Sequence, residues 1–113
     1  MVEPEIYWEG LSGKKYGYWI HPIGTTFINS PGNYIYSKET QPGYWQPIYI
    51  GQTNSLETRL TSHEKESCAI RHGATHIHTH TSSTNEAIRI NEETDLIKKG
   101  FLIVMIEFNP FLE

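Results

Sequence analysis

The sequence has little cysteine, no long hydrophobic run and no excess of basic charge, and each shortage excludes a class of protein. A single cysteine, Cys68, cannot form an internal disulfide, which favours a reducing cytoplasm. The longest apolar run, residues 101–106, is far too short to span a membrane, and the amino terminus shows no secretory pattern. We therefore expect a cytoplasmic protein with no membrane partner.

The charge balance also argues against one kind of function. Thirteen acidic residues outnumber nine basic ones, which gives a formal net charge of -4. A general nucleic-acid coat protein would carry a basic surface, so that class is disfavoured, although local phosphate chemistry is not. The 113 residues are 37% hydrophobic and 12% aromatic, without repeats or a linker, which predicts one globular domain over residues 1–113.

Alternation and turn residues predict the strands and helices. Residues 1–30 are rich in aromatics and glycine and predict two short strands around a Gly13–Gly17 turn, the second at 16–23. Residues 32–37 and 47–53 predict an antiparallel hairpin with a long connection that contains a Pro-Gly turn. Residues 54–65 predict a helix capped by Asn54, and residues 84–99 a helix opened by Ser83 and Glu86 that stops at Gly100. Strands at 74–82 and 101–108 complete an α/β (α+β) fold, a small, mainly antiparallel central sheet flanked by helices.

Two polar residues fall on the apolar stripe of the first predicted helix. On a helical wheel of about 100° per residue, Arg59 and His63 share or border the face of Leu56 and Leu60. Polar groups there cost free energy unless they have partners. They are either a snorkelling arginine and a histidine bonded to a carbonyl, or parts of a site.

The second predicted helix carries an acidic residue within its apolar arc. Glu93 falls between Leu96 and Ile97, whereas Glu92 and Asp95 fall on the far side of the wheel. A half-buried carboxylate needs a cation, either a metal ion or a basic residue. The structural alternative is an ion pair between Glu93 and Arg89, one helical turn earlier.

Three histidines alternate along the predicted strand at 74–82, so their side chains point to one side of the sheet. Neighbouring imidazoles such as His76 and His78 can share a zinc ion, with Cys68 nearby as a further ligand. Three successive positions on one face span too far for all three to reach one ion, so a solvated or groove-lining histidine face is the favoured interpretation. Contact with a nucleic-acid backbone is a further alternative.

The order of these parts resembles the GIY-YIG nuclease family, in the form of its small stand-alone bacterial or phage-like members. The matching segments are Gly32-Asn33-Tyr34, Tyr49-Ile50-Gly51, Arg59 with His63, and residues 86–99, where the Leu96-Ile97 pair selects Glu93 as the metal-binding glutamate of the family. The resemblance implies a GIY-YIG-like core at 31–99, an amino-terminal extension at 1–30 and a divergent carboxy-terminal strand at 100–113.

The sequence departs from the family pattern at three positions. Asn33 replaces the usual apolar residue of the first motif, and Gln52 follows the second motif where some members have lysine. Asn109 comes later than the asparagine of the family, so we do not include it in the expected site.

The resemblance implies hydrolysis of phosphodiester bonds in nucleic acid, with DNA as the expected substrate. Glu93 would hold Mg²⁺ (or Mn²⁺), Tyr34 would help to remove a proton from the attacking water, and Arg59 would contact the phosphate. Tyr49 would orient water or phosphate, and His63 would relay a proton. Two alternatives remain: the tyrosines pack across strands in a structural role, or the chain is a catalytically inactive module that binds nucleic acid or a protein partner.

Overall fold

The computed structural model of the protein describes residues 3–101, which form one antiparallel sheet with helices on both faces. The elements are β1 (Ile6–Glu9), β2 (Lys15–Pro22), β3 (Gly32–Gln41), β4 (Tyr44–Thr53), α1 (Leu56–Thr61), α2 (Glu66–Arg71), β5 (His76–Thr81) and α3 (Glu86–Leu96). The strand order is β1-β2-β5-β3-β4, and all these pairs are antiparallel. The predicted α+β class with a mainly antiparallel sheet is confirmed. Apart from Phe101, the predicted carboxy-terminal strand lies outside the described residues, as does Asn109.

The two tyrosine strands form the predicted hairpin, but the strands are longer and the connection is shorter than expected. β3 and β4 each contain ten residues, and only Pro42 and Gly43 separate the paired ends. Gly43 has a φ of 82°, the left-handed value that the third residue of a type II turn requires after proline. Two register shifts, between Glu39 and Gln41 and between Tyr36 and Ser37, lie between this turn and the pair that sets Tyr34 opposite Gly51.

The amino-terminal segment is part of the sheet rather than an appendage to it. β1 pairs with β2, as the glycine-rich turn predicts, and β2 then pairs with β5. Residues 6–22 therefore extend the sheet on the side away from β4.

The register divides the sheet into two faces with different polar groups. Tyr34 lies opposite Thr79, and Tyr36 opposite Ile77, so these residues share one face, which α1 and α2 cover. Asn33 lies opposite His80 and shares the other face with it. That face packs against α3, because the Asn33 amide donates to the carbonyl of a residue in α3 at 3.0 Å.

The first helix, Leu56–Thr61, begins two residues later and ends four residues earlier than the predicted range of 54–65. Ser55, not Asn54, is the N-cap and accepts a hydrogen bond from the Thr58 amide. The helix ends at Thr61 because Ser62 leaves the helical conformation, with φ of -149° and ψ of 67°. His63 consequently lies in the connection between α1 and α2, and the helical placement predicted for it is wrong.

The third helix buries a face that is more polar than its wheel predicted. Asn85 is the N-cap instead of Ser83, and a wide turn, Ile97–Phe101, ends the helix through Gly100 as expected. Ile90 is 39% exposed, although it is apolar. The buried residues are Arg89, Glu92, Glu93 and Leu96. Within the described part of the chain, no helix combines the length and apolarity needed to cross a membrane.

Candidate active site

The hydroxyl of Tyr34 is the meeting point of three residues singled out in the sequence. Tyr34 comes from β3 and is 1% exposed. His63 Nε2 lies 2.7 Å from the Tyr34 oxygen, and Arg59 Nε donates to the same oxygen at 3.3 Å. The hairpin, α1 and the loop that follows it therefore bring Tyr34, Arg59 and His63 into direct contact.

The surroundings of His63 determine which of its ring nitrogens carries the proton. The Lys65 amide donates to His63 Nδ1 at 2.9 Å, so Nδ1 is an acceptor and bears no hydrogen. Burial and the nearby Arg59 lower the pKa of His63 to about 4, so the ring is neutral at pH 7. A neutral ring with an accepting Nδ1 carries its hydrogen on Nε2 and donates it to Tyr34.

Two N–H groups thus point at one phenolic oxygen, which is the arrangement that stabilises a phenolate. Burial nevertheless raises the pKa of Tyr34 to about 12, with the bond from Arg59 acting in the opposite direction. In the protein alone at pH 7, Tyr34 is therefore protonated. Its own hydrogen is available to a further acceptor, because both bonds from the protein use the oxygen as acceptor.

Tyr49 reaches the same face from β4 and packs against His63 with a ring-centroid distance of 5.2 Å. Tyr36, which the site prediction omitted, also packs against the imidazole, at 5.6 Å, and donates to Glu66 at 2.9 Å. The signal for Tyr36 was present, because a residue two positions after Tyr34 in a strand must share its face. Aromatic packing and the polar contacts coexist here, so the structural and functional interpretations of the tyrosines are compatible.

Gly51 provides the space that the Tyr34 hydroxyl occupies. A Cβ at Gly51 would overlap the hydroxyl and the adjoining ring carbon of Tyr34. The third residue of the Tyr49-Ile50-Gly51 segment is thus required by close approach, not by a turn.

The guanidinium of Arg59 forms an ion pair with the exposed carboxylate of Glu64. Glu64 accepts from Nη1 at 2.8 Å and from Nη2 at 3.1 Å, a bidentate pair. This contact lowers the pKa of Glu64 to about 2. This ion pair could not be predicted from the sequence, because the predicted helix through residue 65 would place Glu64 on another side of α1 than Arg59.

The Glu93 carboxylate lies close to the hydroxyls of Tyr34 and Tyr49. Its carboxylate is near enough to Tyr34 and Tyr49 to raise the pKa of both hydroxyls. Among residues 3–101, Glu93 has neither a hydrogen-bond partner nor an ion pair, and it is 6% exposed. Burial raises its pKa to about 7. The alternative ion pair with Arg89 is not formed, since Arg89 bonds to Gln52 and to a backbone carbonyl.

The neighbouring acid, Glu92, falls on the far side of the helical wheel from the apolar arc, yet it does not face solvent. It is buried and accepts hydrogen bonds from the Tyr18 hydroxyl at 2.5 Å and from His80 Nε2 at 2.7 Å. The wheel missed it because its partners come from β2 and β5, which are remote in sequence. Within residues 3–101, Glu92 thus receives two hydrogen bonds, whereas the adjacent Glu93 receives none.

A single unpaired carboxylate fits only one kind of divalent-ion site. In the part of the chain that the structure describes, no three His, Cys, Asp or Glu side chains converge in a way that could hold a metal ion. Mg²⁺ is commonly bound through one or two carboxylates, with water and substrate phosphate as its remaining ligands. Glu93 fits that chemistry, and the same set does not suit an ion that needs three or four protein ligands.

The histidines His76 and His78 of β5 pack against tryptophan side chains. His78 is fully buried, so the expected solvated histidine face is wrong at this position. His78 Nδ1 accepts from Trp8 Nε1 at 3.0 Å, and Trp45 packs edge-on against both His76 and His78. Burial lowers the pKa of His78 to about 3. His72, four residues after Cys68 at the end of α2, has its Nδ1 2.9 Å from the Cys68 carbonyl.

Comparisons of this chain with protein-family models, with curated proteins and with solved structures find no match.

Proposed function

We propose that the protein is a metal-dependent nuclease of the GIY-YIG type, which hydrolyses phosphodiester bonds in nucleic acid, with DNA as the expected substrate. The observation that carries this proposal is the Tyr34 oxygen, which receives N–H groups from His63 and Arg59. The Glu93 carboxylate lies near enough to raise the pKa of Tyr34, and it has no partner among residues 3–101. A structural core has no need for an unpaired buried carboxylate next to a polar tyrosine cluster.

Tyr34 is the residue suited to accept a proton from the attacking water. Its phenolate would keep both N–H bonds from His63 and Arg59, and these bonds strengthen when the oxygen becomes negative. The pKa of about 12 requires added positive charge nearby before Tyr34 can act as a base near neutral pH. His63 stays neutral and fixes the direction of the phenolic oxygen.

Arg59 and Glu93 act on the phosphate. The planar fork of Arg59 matches two phosphate oxygens once Glu64 moves away. Glu93 would be the protein ligand of Mg²⁺ or Mn²⁺, which when bound supplies positive charge to the phosphoryl oxygens and acidifies a bound water. Ionised Glu93 is needed for that role, so the activity should increase as the pH rises through about 7.

The first test replaces Arg59 with alanine. We expect the rate of Mg²⁺-dependent nicking of plasmid DNA to fall by roughly 10² to 10³-fold, because a donor to the transferring phosphoryl group is lost. Arg71→Ala is the matched control, since Arg71 is exposed at the end of α2. Equal rates for Arg59→Ala and Arg71→Ala would remove Arg59 from the mechanism.

A non-catalytic module that binds nucleic acid is the second candidate. The ion pair between Arg59 and Glu64 favours this candidate, because the Glu64 carboxylate takes the place at Arg59 that a substrate phosphate would need. Retained binding of DNA without any cleavage by the purified wild-type protein, over a range of pH and metal ions, would select this candidate.

A further inference from the structure

A polar cavity of about 540 Å³ lies at the end of β4, where the chain passes from the sheet into α1. It connects the two sides of the sheet, because one wall comes from α1 and the other from the start of α3. Its lining residues are Gln52, Thr53, Asn54, Arg59, Thr84, Glu86 and Arg89. Arg59 thus contacts the Tyr34 hydroxyl with Nε and also borders this cavity.

Arg89 is held rigidly at the wall of the cavity. It is 3% exposed, its Nε donates to Gln52 Oε1 at 2.9 Å, and its Nη1 donates to the Ser83 carbonyl at 2.8 Å. No residue of the described chain accepts a hydrogen bond from Nη2, and this nitrogen is not among the fully buried unpaired atoms. One edge of the guanidinium is therefore fixed by the protein, and Nη2 remains available at the cavity.

The charge of Arg89 is not neutralised by the residues that hold it. Both of its partners, Gln52 and the Ser83 carbonyl, are neutral, and residues 3–101 provide no carboxylate in an ion pair with it. Glu86 is the one acid in the lining, and it is exposed. A buried guanidinium without an ionic partner is costly unless an anion completes it. The planar fork matches phosphate oxygens best.

We propose that this cavity is a second phosphate subsite, in which Arg89, oriented by Gln52, binds a phosphate next to the one that Arg59 contacts. The proposal rests on the proposed function for the source of that phosphate, a nucleic-acid strand that passes the end of β4. In this subsite Gln52 orients Arg89 through a neutral amide. Because the amide carries no charge, the positive charge of Arg89 remains available to bind the phosphate.

The first experiment tests the subsite with inorganic phosphate alone. The side-chain Nε–H resonances of ¹⁵N-labelled protein are followed while sodium phosphate replaces sodium chloride at constant ionic strength. We expect a saturable shift of the Arg89 resonance and none of the exposed Arg71 resonance. The Gln52→Glu variant keeps the buried Arg89 side chain and places a carboxylate next to it. This carboxylate neutralises the charge of Arg89, so the phosphate-dependent shift should be lost. A shift that does not saturate, or one that Gln52→Glu retains, would overturn the subsite.

The second experiment measures the affinity for a short duplex DNA in the absence of divalent ions. Arg89→Gln and Gln52→Glu should both weaken binding roughly tenfold and reduce the slope of log K against log salt by about one. Arg71→Gln carries the same charge change at an exposed position and should leave the slope unchanged. Because Arg89→Gln disturbs a buried residue, Gln52→Glu keeps the test decisive if that variant fails to fold.

The two proposals fail in different ways. Normal phosphate binding by Arg89 in a protein that does not cleave DNA would contradict the nuclease and leave the subsite intact. Cleavage of DNA with wild-type salt dependence in Gln52→Glu would contradict the subsite and leave the nuclease intact.

Discussion

At the scale of single side chains, the candidate site consists of buried polar residues. Tyr34, His63 and Glu93 all lie at positions with less than 10% exposure, where an apolar side chain would be more stable. Tyr34 and His63 satisfy each other, whereas Glu93 depends on a group that residues 3–101 do not provide. The free energy of unfolding of the protein should therefore depend on pH through Glu93, and it should change when a neutral isostere replaces Glu93.

We predict that Glu93→Gln stabilises the protein above neutral pH. The folded-state pKa of about 7 lies above the usual 4.5, so the folded protein binds the proton more tightly than the unfolded chain does. This contribution favours folding at low pH and is lost as the pH rises from about 4.5 through 7. Urea unfolding at pH 5 and pH 8 should show a gain for Glu93→Gln on the order of 2–3 kcal/mol at pH 8 only. The same gain at both pH values would contradict the burial of an ionising carboxylate.

The pair between Arg59 and Glu64 leads to a second prediction for a single residue. Glu64→Gln should tighten the binding of DNA by up to about fivefold, since an exposed ion pair is worth at most about 1 kcal/mol. Glu57→Gln removes the same charge from an exposed position of α1 and is the matched control. Equal affinities of the two variants would show that Glu64 does not compete for Arg59.

At the scale of elements, the β1–β2 hairpin holds the helix that carries Glu93. The Tyr18 hydroxyl from β2 bonds to Glu92, and the Tyr16 hydroxyl bonds to Asp95 at 2.8 Å. The Ser12 hydroxyl, in the turn between the two strands, also donates to Asp95, at 2.7 Å. These bonds hold α3 at Glu92 and Asp95, which come before and after Glu93 in the sequence. Glu93 itself has no hydrogen bond within the described chain.

Removing one of these bonds should loosen α3. We predict that Tyr18→Phe lowers the free energy of unfolding by about 1–2 kcal/mol, because Glu92 loses a buried donor. Tyr7→Phe, at a 54% exposed position of β1, should change it by less than about 0.5 kcal/mol. Similar values for the two variants, measured by urea unfolding, would contradict the anchoring role of the hairpin.

The sequence predicted the strands better than the ends of the helices, for a local reason. The period of two in β3, β4 and β5 is strong, and turn residues mark their ends. After Thr61, however, the His63 ring accepts the Lys65 amide and the His63 carbonyl accepts the Glu66 amide. Such bonds compete with the helical ones, and a wheel cannot detect them.

At the scale of the whole molecule, the order of the strands could not be predicted from the sequence. β5 lies between β2 and β3, so Thr79 pairs with Trp19 on one side and with Tyr34 on the other. These pairings set His80 beside Glu92, and they depend on contacts between residues far apart in the chain. Hence Tyr34, Arg59 and Glu93 could be selected from sequence, whereas the partners of Glu92 and the cavity at Arg89 could not.

The central claim is that Glu93 holds a divalent ion for the hydrolysis of a phosphodiester bond. The most direct measurement compares the nicking of supercoiled plasmid DNA by wild type, Glu93→Gln and Glu39→Gln at increasing Mg²⁺, at pH 8. Glu39 is exposed on β3 and is the control for the loss of one carboxylate. We predict Mg²⁺-dependent nicking by wild type and Glu39→Gln and none by a folded Glu93→Gln protein. Equal Mg²⁺-dependent nicking by Glu93→Gln, or no nicking by any of the three, would contradict the claim.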